Sequence, residues 1–469
     1  MDFKLELVMV PVTDVDRAKA FYVDQAGFHA DHDQTVHEGL RFVQLTPPGS
    51  ACSIAIGLGL TTTAPGTIDC LQMVVSDIEA AHRELTARGC PHPPRESRRS
   101  GHVVVQPGVL NAALGRAIEP HGLFFPPDPA SYEFCTIGGN LAEDAGGLRC
   151  IKYGVTRDYV LGLEVVLADG SVVRTGGRTV KDAMGYDLTQ LFVGSEGTLG
   201  IVTEATLRVL PLPAPSVTAL AFFASPVDAG RAVAGITRTG IVPATLELMD
   251  RATMRAVDAA LEVGLPPDAG AVLLIESDAG GATSEAELDG ALAACRDAGA
   301  TRIDRAADAR EADALRDARR KAHWSLGRGG IARMEDVGVP RSRAPELLAA
   351  IERIAVDAGV RVGVFGHAGD GNFHPTFVTD AADAAGERKV HAARQEMYAV
   401  VLELGGTVSG EHGTGLVKRE WLVRQRGEAH VRVLRAIKSA LDPLGILNPG
   451  KVLADAEGSP PQPTETGRP

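Results

Sequence analysis

Arg361-Val-Gly-Val-Phe-Gly-His-Ala-Gly-Asp-Gly-Asn-Phe-His-Pro-Thr-Phe-Val378 consists of two apolar runs around a glycine-rich centre. The apolar runs predict one strand that enters the centre and one that leaves it. Gly369 and Gly371 can adopt positive φ angles, so tight turns could bring His367 and His374 back toward one point. This stretch therefore predicts a strand–turn–strand unit that presents two imidazoles together.

A second glycine-flanked turn, Gly410-Glu411-His412-Gly413, follows the short apolar run 407–409. Two imidazoles and a carboxylate are a donor set that suits a catalytic divalent metal with an open position for a ligand. A lone histidine in a loop is usually a surface residue. Several such residues within two glycine-rich turns favour a catalytic site instead.

Composition limits the classes of function. The chain has 469 residues, which is enough for two to four domains, and a net charge of −13. This acidic balance argues against a nucleic-acid partner, which needs a basic surface. No apolar run approaches the roughly 20 residues of a membrane span, and the N-terminus resembles no export signal. The six cysteines form no C-x-x-C pair, so we expect free thiols and a reducing, cytoplasmic location.

The first ninety residues predict a small α+β module. The turn Thr13-Asp-Val-Asp16 supplies N-cap chemistry for the helix that follows it. The pattern predicts strands at 5–12, 39–46, 52–57 and 68–75, and helices at 17–26 and 77–88.

This module resembles the vicinal-oxygen-chelate (glyoxalase/bleomycin-resistance) superfamily. The resemblance rests on Pro11-Val-Thr-Asp-Val-Asp-Arg-Ala-Lys-Ala-Phe-Tyr22, Gly27-Phe28, Leu45-Thr-Pro-Pro-Gly-Ser50 and Val74-Val-Ser-Asp-Ile-Glu79. Metal-using members carry a histidine near the position of Leu7, and the last strands of the repeat are missing here. The resemblance therefore implies a partial βαβββ module without a metal of its own.

Glycine clusters dominate the segment after residue 102. They occur in Cys135-Thr-Ile-Gly-Gly-Asn140, Asp144-Ala-Gly-Gly147, Lys152-Tyr-Gly154 and Phe192-Val-Gly-Ser-Glu-Gly-Thr-Leu-Gly200. Backbone N–H groups exposed in such turns can line a pyrophosphate and a planar ring, although plain turns between strands would look similar. No Rossmann or Walker motif stands in the required strand–helix setting.

These clusters resemble the FAD-binding domain of the vanillyl-alcohol-oxidase/PCMH superfamily. The motifs at 367–374 and 410–413, with Asp442-Pro-Leu-Gly-Ile-Leu-Asn-Pro-Gly-Lys451, are similar to its FAD-linked oxidase C-terminal domain. The resemblance covers about residues 102–453 and implies a D-2-hydroxyacid dehydrogenase of the glycolate oxidase, D-lactate or D-2-hydroxyglutarate dehydrogenase type. It implies flavin contacts from Pro127, Asp128, Cys135, Thr136, Gly138, Gly139, Asn140, Ala145, Gly146, Gly147, Tyr153, Gly154, Glu196, Gly197, Gly200, Ile201 and Asn448.

The resemblance also implies roles for the C-terminal residues. His367, His374 and Glu411 would bind a divalent metal of zinc type, and His412 would be the general base. Asn372 would contact substrate or metal-bound oxygens. The segment 319–328 aligns with a helix that carries a carboxylate-binding arginine, which falls on Arg319, although a solvated basic helix face would have the same composition.

The predicted fold class is α+β with five segments: a partial vicinal-oxygen-chelate module (1–92), a junction (93–101), the second half of an FAD-binding domain (102–212), a substrate and metal domain (213–455) and a disordered tail (456–469). The family's first FAD subdomain, with its glycine loop for the pyrophosphate, has no counterpart here. We expect oxidation of a small 2-hydroxyacid such as D-lactate or glycolate, with an unidentified electron acceptor. A non-catalytic small-molecule-binding protein with a vestigial flavin half is the alternative. A homodimer and peripheral association with the inner membrane face both stay open.

Overall fold

The structure, a computed structural model, describes residues 7–50, 52–61, 101–179, 181–380 and 383–453. The chain divides into two compact units, Met1–Arg98 and Arg99–Pro469. The predicted strand at 68–75, the predicted helix at 77–88 and the predicted tail at 456–469 lie outside the described residues. No helix in the described part of the chain is both long and apolar enough to cross a membrane.

The N-terminal unit contains strands close to the ranges predicted at 5–12, 39–46 and 52–57 and a helix near the predicted 17–26, but its strand at 29–37 was not predicted. Its elements are β1 (Leu7–Met9), α1 (Val15–Ala20, continued by a π-helical turn at Phe21–Gln25), β2 (His29–His37), β3 (Leu40–Thr46) and β4 (Ser53–Leu58). The strands form one sheet in the order β1-β4-β3-β2, in which β1 and β4 are parallel. Asp14, in the predicted capping turn, caps α1, because its side chain accepts a hydrogen bond from Arg17 N–H.

The first sheet of the second unit has the order β5-β9-β7-β8, with β6 paired to β9. Its elements are β5 (Gly101–Val105), α2 (Asn111–Ile118), β6 (Leu123–Phe124), α3 (Ile137–Glu143), α4 (Cys150–Tyr153), β7 (Val160–Val166), β8 (Val172–Gly176), α5 (Leu188–Phe192) and β9 (Ile201–Pro211). Helices α2 and α3 pack on this sheet through buried Leu114, Ile137 and Leu141.

A larger antiparallel sheet follows, in the order β13-β10-β12-β11-β16-β17-β14 with β15 paired to β17. Its strands are β10 (Val217–Phe223), β11 (Thr245–Asp250), β12 (Ala271–Ser277), β13 (Arg302–Arg305), β14 (Ile331–Met334), β15 (Val337–Gly338), β16 (Arg361–His367) and β17 (Asn372–Thr379). The helices are α6 (Pro226–Thr239), α7 (Arg251–Leu261), α8 (Gly281–Asp297), α9 (Ala309–Arg320), α10 (Ala322–Gly327), α11 (Ala344–Ala358), α12 (Ala384–Glu403), α13 (Arg419–Arg426) and α14 (Glu428–Leu441).

Both faces of this sheet are covered by helices. Along β10, Ala219, Ala221 and Phe223 enter the core under α6, α8, α11 and α12, whereas Leu220 and Phe222 enter the core under α7, α9 and α10. Successive side chains of a strand point to opposite faces, so a strand buried on both faces must be apolar throughout. This explains why the central strands β10 and β12 are largely apolar.

The predicted strand–turn–strand unit is the antiparallel pair β16–β17, which places His367 opposite Asn372 and Phe365 opposite His374. Gly371 has the predicted positive φ, at 84°, but Gly369 does not. The role predicted for Gly369 is therefore wrong. Gly369 is needed for close packing, because a Cβ there would lie 2.4 Å from Ile151 Cδ1.

Candidate active site

The three predicted metal ligands converge at the end of the β16–β17 pair. The Nε2 atoms of His367 and His374 each lie 3.2 Å from Glu411 Oε1. One donor atom from each of the three side chains lies within 4.8 Å of the others. Two imidazoles and a carboxylate with this convergence could hold a divalent metal.

His367 is oriented from behind by a buried ion pair. Its Nδ1 lies 2.8 Å from Glu247 Oε1, and the other oxygen of Glu247 lies 2.6 Å from Arg319 Nη2. Glu247 lies on β11 beside β16, and its side chain is 1% exposed. A carboxylate on the outer nitrogen of a ligating histidine fixes the ring and turns the other nitrogen toward the metal.

His374 and His412 are stacked, with ring centroids 5.1 Å apart and an interplanar angle of 9°. Nδ1 of His374 lies 3.8 Å from Asp336 Oδ1. His374 is buried, whereas 39% of the His412 side chain is exposed. His412 is therefore more exposed than His374.

The electrostatics favour a charged Glu411. Burial alone would raise the pKa of Glu411, but His367 and His374 hold that pKa well below its usual value. Burial similarly opposes the charged form of His367, yet Glu247 and Glu411 raise its pKa well above the ordinary value. Burial and the neighbouring His367 lower the pKa of His374. The two imidazoles thus stabilise the negative charge of Glu411, as a bound cation could.

A cavity of about 510 Å³ adjoins the donors. It is lined by His367, Glu411, Asp370, Asn372, Cys150 and Arg426, among others. Burial, followed by the charge of Glu411, raises the pKa of the Cys150 thiol well above its usual value, so this thiol stays neutral. Burial also raises the pKa of Asp370 to about 6.

The role predicted for Arg319 is wrong. Its side chain is 2% exposed, pairs with Glu247 and stacks 4.8 Å from the ring centroid of Phe365, so it is closed to a ligand. The next residue, Arg320, is partly exposed and donates a 3.0 Å hydrogen bond to Asp128 Oδ2. Its buried Nε has no partner among the described residues.

Asn372 is close to the metal donors but its amide nitrogen is already occupied. Nδ2 donates to Asp336 Oδ1 at 2.7 Å and to the carbonyl of Val337 at 3.1 Å. Only the oxygen of this amide is left for a ligand in the cavity. The predicted substrate contact is therefore limited to an acceptor.

The predicted flavin residues of the 127–154 segment form one connected region. Asn111 Nδ2 donates to the carbonyl of Pro127, and Asp128 Oδ1 accepts from Arg149 N–H. Gly146 backs the metal site, since a Cβ there would lie 2.4 Å from Glu411 Oε2. The remaining predicted residues of this region are Cys135, Thr136, Gly138, Gly139, Asn140, Ala145, Gly147, Tyr153 and Gly154.

Asn140 provides a direct test of whether this region fits a cofactor. The residue is 1% exposed, and its Nδ2 has no hydrogen-bond partner among the described residues. A buried donor without a partner is costly unless a ligand or water satisfies it. The unpaired amide therefore fits a polar cofactor such as FAD. Tyr153, in contrast, donates its hydroxyl to Asp278.

The predicted flavin residues near 200 have structural roles. The carboxylate of Glu196 accepts from the N–H groups of Thr414 and Gly415, and its carbonyl accepts from Asn448 Nδ2. A Cβ at Gly200 would lie 2.3 Å from Val165 Cγ1. The side chains of Glu196 and Asn448 thus anchor neighbouring loops, and Gly200 allows close packing; their predicted cofactor contacts stay predictions. Gly197 has φ 66° and Ile201 is exposed.

Sequence reasoning missed four residues of the site. Glu247 and Asp336 are fully buried carboxylates behind the ligands, and Cys150 lies in the cavity wall. His323 is one turn beyond Arg320; burial and the nearby His412 lower the pKa of His323. The sequence did contain a signal for Glu247 and Asp336. Each is an acidic residue with apolar neighbours, in the segments 245–249 and 335–339, and a buried charge needs a partner.

Two protein families match the chain. The family described as "FAD linked oxidases, C-terminal domain" matches residues 212–452, and the family described as "FAD binding domain" matches residues 95–176. Neither match reaches the first 94 residues. The C-terminal match alone spans more than half of the chain.

Relatives with names and solved structures agree with these matches. Glycolate oxidase subunit GlcD of Bacillus subtilis is 46% identical over 351 residues, which cover 75% of this chain and 75% of the relative. D-lactate dehydrogenase of Anaerostipes hadrus is 36% identical over 368 residues, again 75% of each chain. The fold is similar to that of 4-ethylphenol oxidase from Gulosibacter chungangensis, with a TM-score of 0.60, 20% identity and 78% of each chain covered.

Proposed function

Because the chain belongs to the FAD-linked oxidases, a family of flavin-dependent oxidoreductases, we propose that it oxidises a D-2-hydroxyacid to the 2-oxoacid. Glycolate and D-lactate are the model substrates, on the strength of the names of the two relatives. The observation that carries the proposal is the convergence of His367, His374 and Glu411 beside the accessible imidazole of His412.

Oxidation of a 2-hydroxyacid removes a hydride from Cα and a proton from the hydroxyl group. His412 is the proposed base, since its imidazole is exposed and lies 3.8 Å from Glu411 Oε1. FAD, when bound, would accept the hydride. The unpaired amide of Asn140 and the backbone of the 136–147 turns are the proposed contacts for that cofactor.

The substrate carboxylate needs a cation. We assign this role to Arg320, because Arg319 is enclosed and paired with Glu247. Arg320 donates a hydrogen bond to Asp128. The backbone of Asp128 lies against Gly147, and the neighbouring Gly146 lies against the carboxylate of Glu411. A guanidinium suits a planar carboxylate because it can donate two parallel hydrogen bonds.

His367, His374 and Glu411 would hold a divalent metal, for which zinc is the choice that best fits two imidazoles and one carboxylate. The metal would supply a fixed positive charge that lowers the pKa of a hydroxyl group bound near it. Glu247 contributes by holding the His367 ring, and Asp336 by holding the loop that carries Glu411.

The first prediction tests the metal and the reaction together. His374→Ala should lose Zn²⁺ binding and turnover of D-lactate with an artificial electron acceptor, because three ligands leave little redundancy. Metal content is measured by elemental analysis and turnover by bleaching of the acceptor dye. His391→Ala, an exposed histidine on α12, is the matched control and should keep both. Stoichiometric Zn²⁺ and full turnover in His374→Ala would contradict the proposal.

We also propose that residues 1–92 form a partial vicinal-oxygen-chelate module, and that the FAD-binding and substrate domains span 102–212 and 213–455. The βαβββ order and the parallel pairing of β1 with β4 support the first assignment. Because Leu7 occupies the ligand position, all bound Zn²⁺ should disappear in the full chain with His367→Ala and His374→Ala combined. Residual stoichiometric Zn²⁺ in that variant would indicate a second site.

A further inference from the structure

The loop of residues 410–415, here called the ligand loop, carries both Glu411 and His412. Five of its backbone N–H groups donate to two carboxylates. Oδ2 of Asp336 accepts from the N–H groups of Gly410, Glu411 and His412 at 2.7, 2.9 and 2.9 Å. The carboxylate of Glu196 accepts from the N–H groups of Thr414 and Gly415 at 2.6 and 2.8 Å.

Asp336 connects the ligand loop to the other two ligands. It is 0% exposed, and its second oxygen accepts from Asn372 Nδ2 at 2.7 Å and lies 3.8 Å from His374 Nδ1. Lys418 donates to the carbonyl of Asp336 and lies 3.8 Å from its carboxylate, which helps to compensate the buried charge. One carboxylate thus contacts the loop with Glu411 and the start of the strand with His374.

Glu196 holds the other end of the ligand loop from the FAD-binding half of the chain. Its own backbone is fixed in the left-handed region, with φ 51°, and its carbonyl accepts from Asn448. Gly413, at φ 75°, joins the two anchored ends, and a Cβ there would lie 2.6 Å from Glu196 Oε1. Consecutive N–H groups that converge on an oxygen form an anion-binding concavity, here filled by the protein's own carboxylates.

We propose that Asp336 and Glu196 are the positioning residues of the active site, and that together they fix the ligand loop in the conformation that presents Glu411 to the metal and His412 to the substrate. Neither residue is assigned contact with metal or substrate. The inference rests on the proposed metal-assisted oxidation, in which Glu411 binds the metal and His412 accepts the proton.

Asn at position 336 cannot reproduce this arrangement. If the amide oxygen faced the three N–H groups, the amide nitrogen would face the donating Nδ2 of Asn372. If the amide were flipped, its nitrogen, which is a donor, would face the three donating N–H groups of the ligand loop. Asp336→Asn should therefore release the ligand loop and weaken Zn²⁺ binding by roughly 10- to 100-fold, the range typical of lost support behind metal ligands.

The test measures Zn²⁺ affinity of the full chain by competition with a chromophoric chelator, together with the thermal unfolding midpoint. The matched control is Asp258→Asn. Asp258 Oδ1 likewise accepts from two consecutive N–H groups, those of Gly264 and Leu265, but it lies at the end of α7. We expect Asp258→Asn to lower the unfolding midpoint without changing Zn²⁺ affinity.

Equal Zn²⁺ affinity in folded Asp336→Asn and wild type would overturn the inference, as would equal losses in Asp336→Asn and Asp258→Asn. If Asp336→Asn does not fold, Glu196→Gln decides. It leaves one of two N–H groups without an acceptor and should weaken Zn²⁺ binding several-fold, and an unchanged affinity would overturn the inference. A wild-type chain that binds no Zn²⁺ would refute the metal-assisted function itself, which is a separate outcome.

Discussion

Two neighbouring arginines on α9 differ in what surrounds them. Arg319 is enclosed with Glu247, so Arg319→Met would leave that buried carboxylate with the imidazole of His367 as its remaining partner and should cost about 3–5 kcal/mol of unfolding free energy. Arg320→Met should cost less stability than Arg319→Met, because Asp128 keeps its ion pair with Arg149. It should lower kcat/KM roughly 10- to 100-fold, because one charge-assisted contact to the substrate is lost. Chemical denaturation and steady-state kinetics of both variants measure the two effects. If instead Arg319→Met lowered kcat/KM and Arg320→Met caused the larger loss of stability, Arg319 would be the carboxylate ligand.

The sequence identifies residues of the right chemical type more reliably than their surroundings. His367, His374 and Glu411 were predicted correctly as a converging set because histidines and acids in glycine-rich turns have few structural reasons to be there. Adjacent residues on a helix point about 100° apart, so a run such as Arg319-Arg320-Lys321 does not reveal which side chain enters the core. Glu247 and Asp336 were missed because their partners lie 120 and about 75 residues away.

Helices and strands could be predicted where the sequence contains clear signals for where they begin and end. The strands around 361–378 and the Asp14 cap follow from apolar runs and local hydrogen-bond chemistry. Gly369 was misread, because its need for glycine comes from the close approach of Ile151, and Gly200 is similarly constrained by Val165. Contacts of this kind depend on tertiary packing, which no local pattern encodes.

The caps of α7 and α9 allow a pH prediction at the level of elements. Asp250 caps α7 by accepting from Thr253 N–H, and burial raises the pKa of Asp250 to about 6. A carboxyl whose folded pKa lies above its unfolded value stabilises the protein at low pH and loses that contribution as pH rises through 6. Asp250→Asn keeps a good cap, so it should stabilise the protein at pH 8 relative to wild type, by on the order of 1–3 kcal/mol, and much less at pH 4.

The control for that prediction is Asp308→Asn, which alters the exposed cap of α9 that accepts from Glu311 N–H. Its difference from wild type is compared with that of Asp250→Asn at pH 4 and pH 8. Thermal unfolding of both variants across this range is the measurement. If the two variants respond identically to pH, burial of Asp250 is not the cause.

The whole molecule combines a unit outside both family matches with a unit that belongs to the FAD-linked oxidases. The sequence predicted this division because its motifs change character near residue 100. It could not predict how firmly FAD is held, since affinity depends on the sum of many backbone contacts rather than on any motif. The family matches begin only at residue 95, so the contacts that the resemblance assigns to an earlier glycine loop have no matched counterpart.

FAD affinity is therefore the property in which we expect this chain to differ from its relatives. Asn140 and the 136–147 turns would still hold part of the cofactor, but two or three hydrogen bonds to the pyrophosphate would be missing. At roughly 1.5–3 kcal/mol for each bond to a charged group, that loss weakens binding by two or more powers of ten. A fluorescence titration of the cofactor-free full chain should give a micromolar or weaker Kd, with Asn140→Ala weaker again and Asp258→Asn unchanged. Nanomolar affinity would mean that other residues replace the glycine loop.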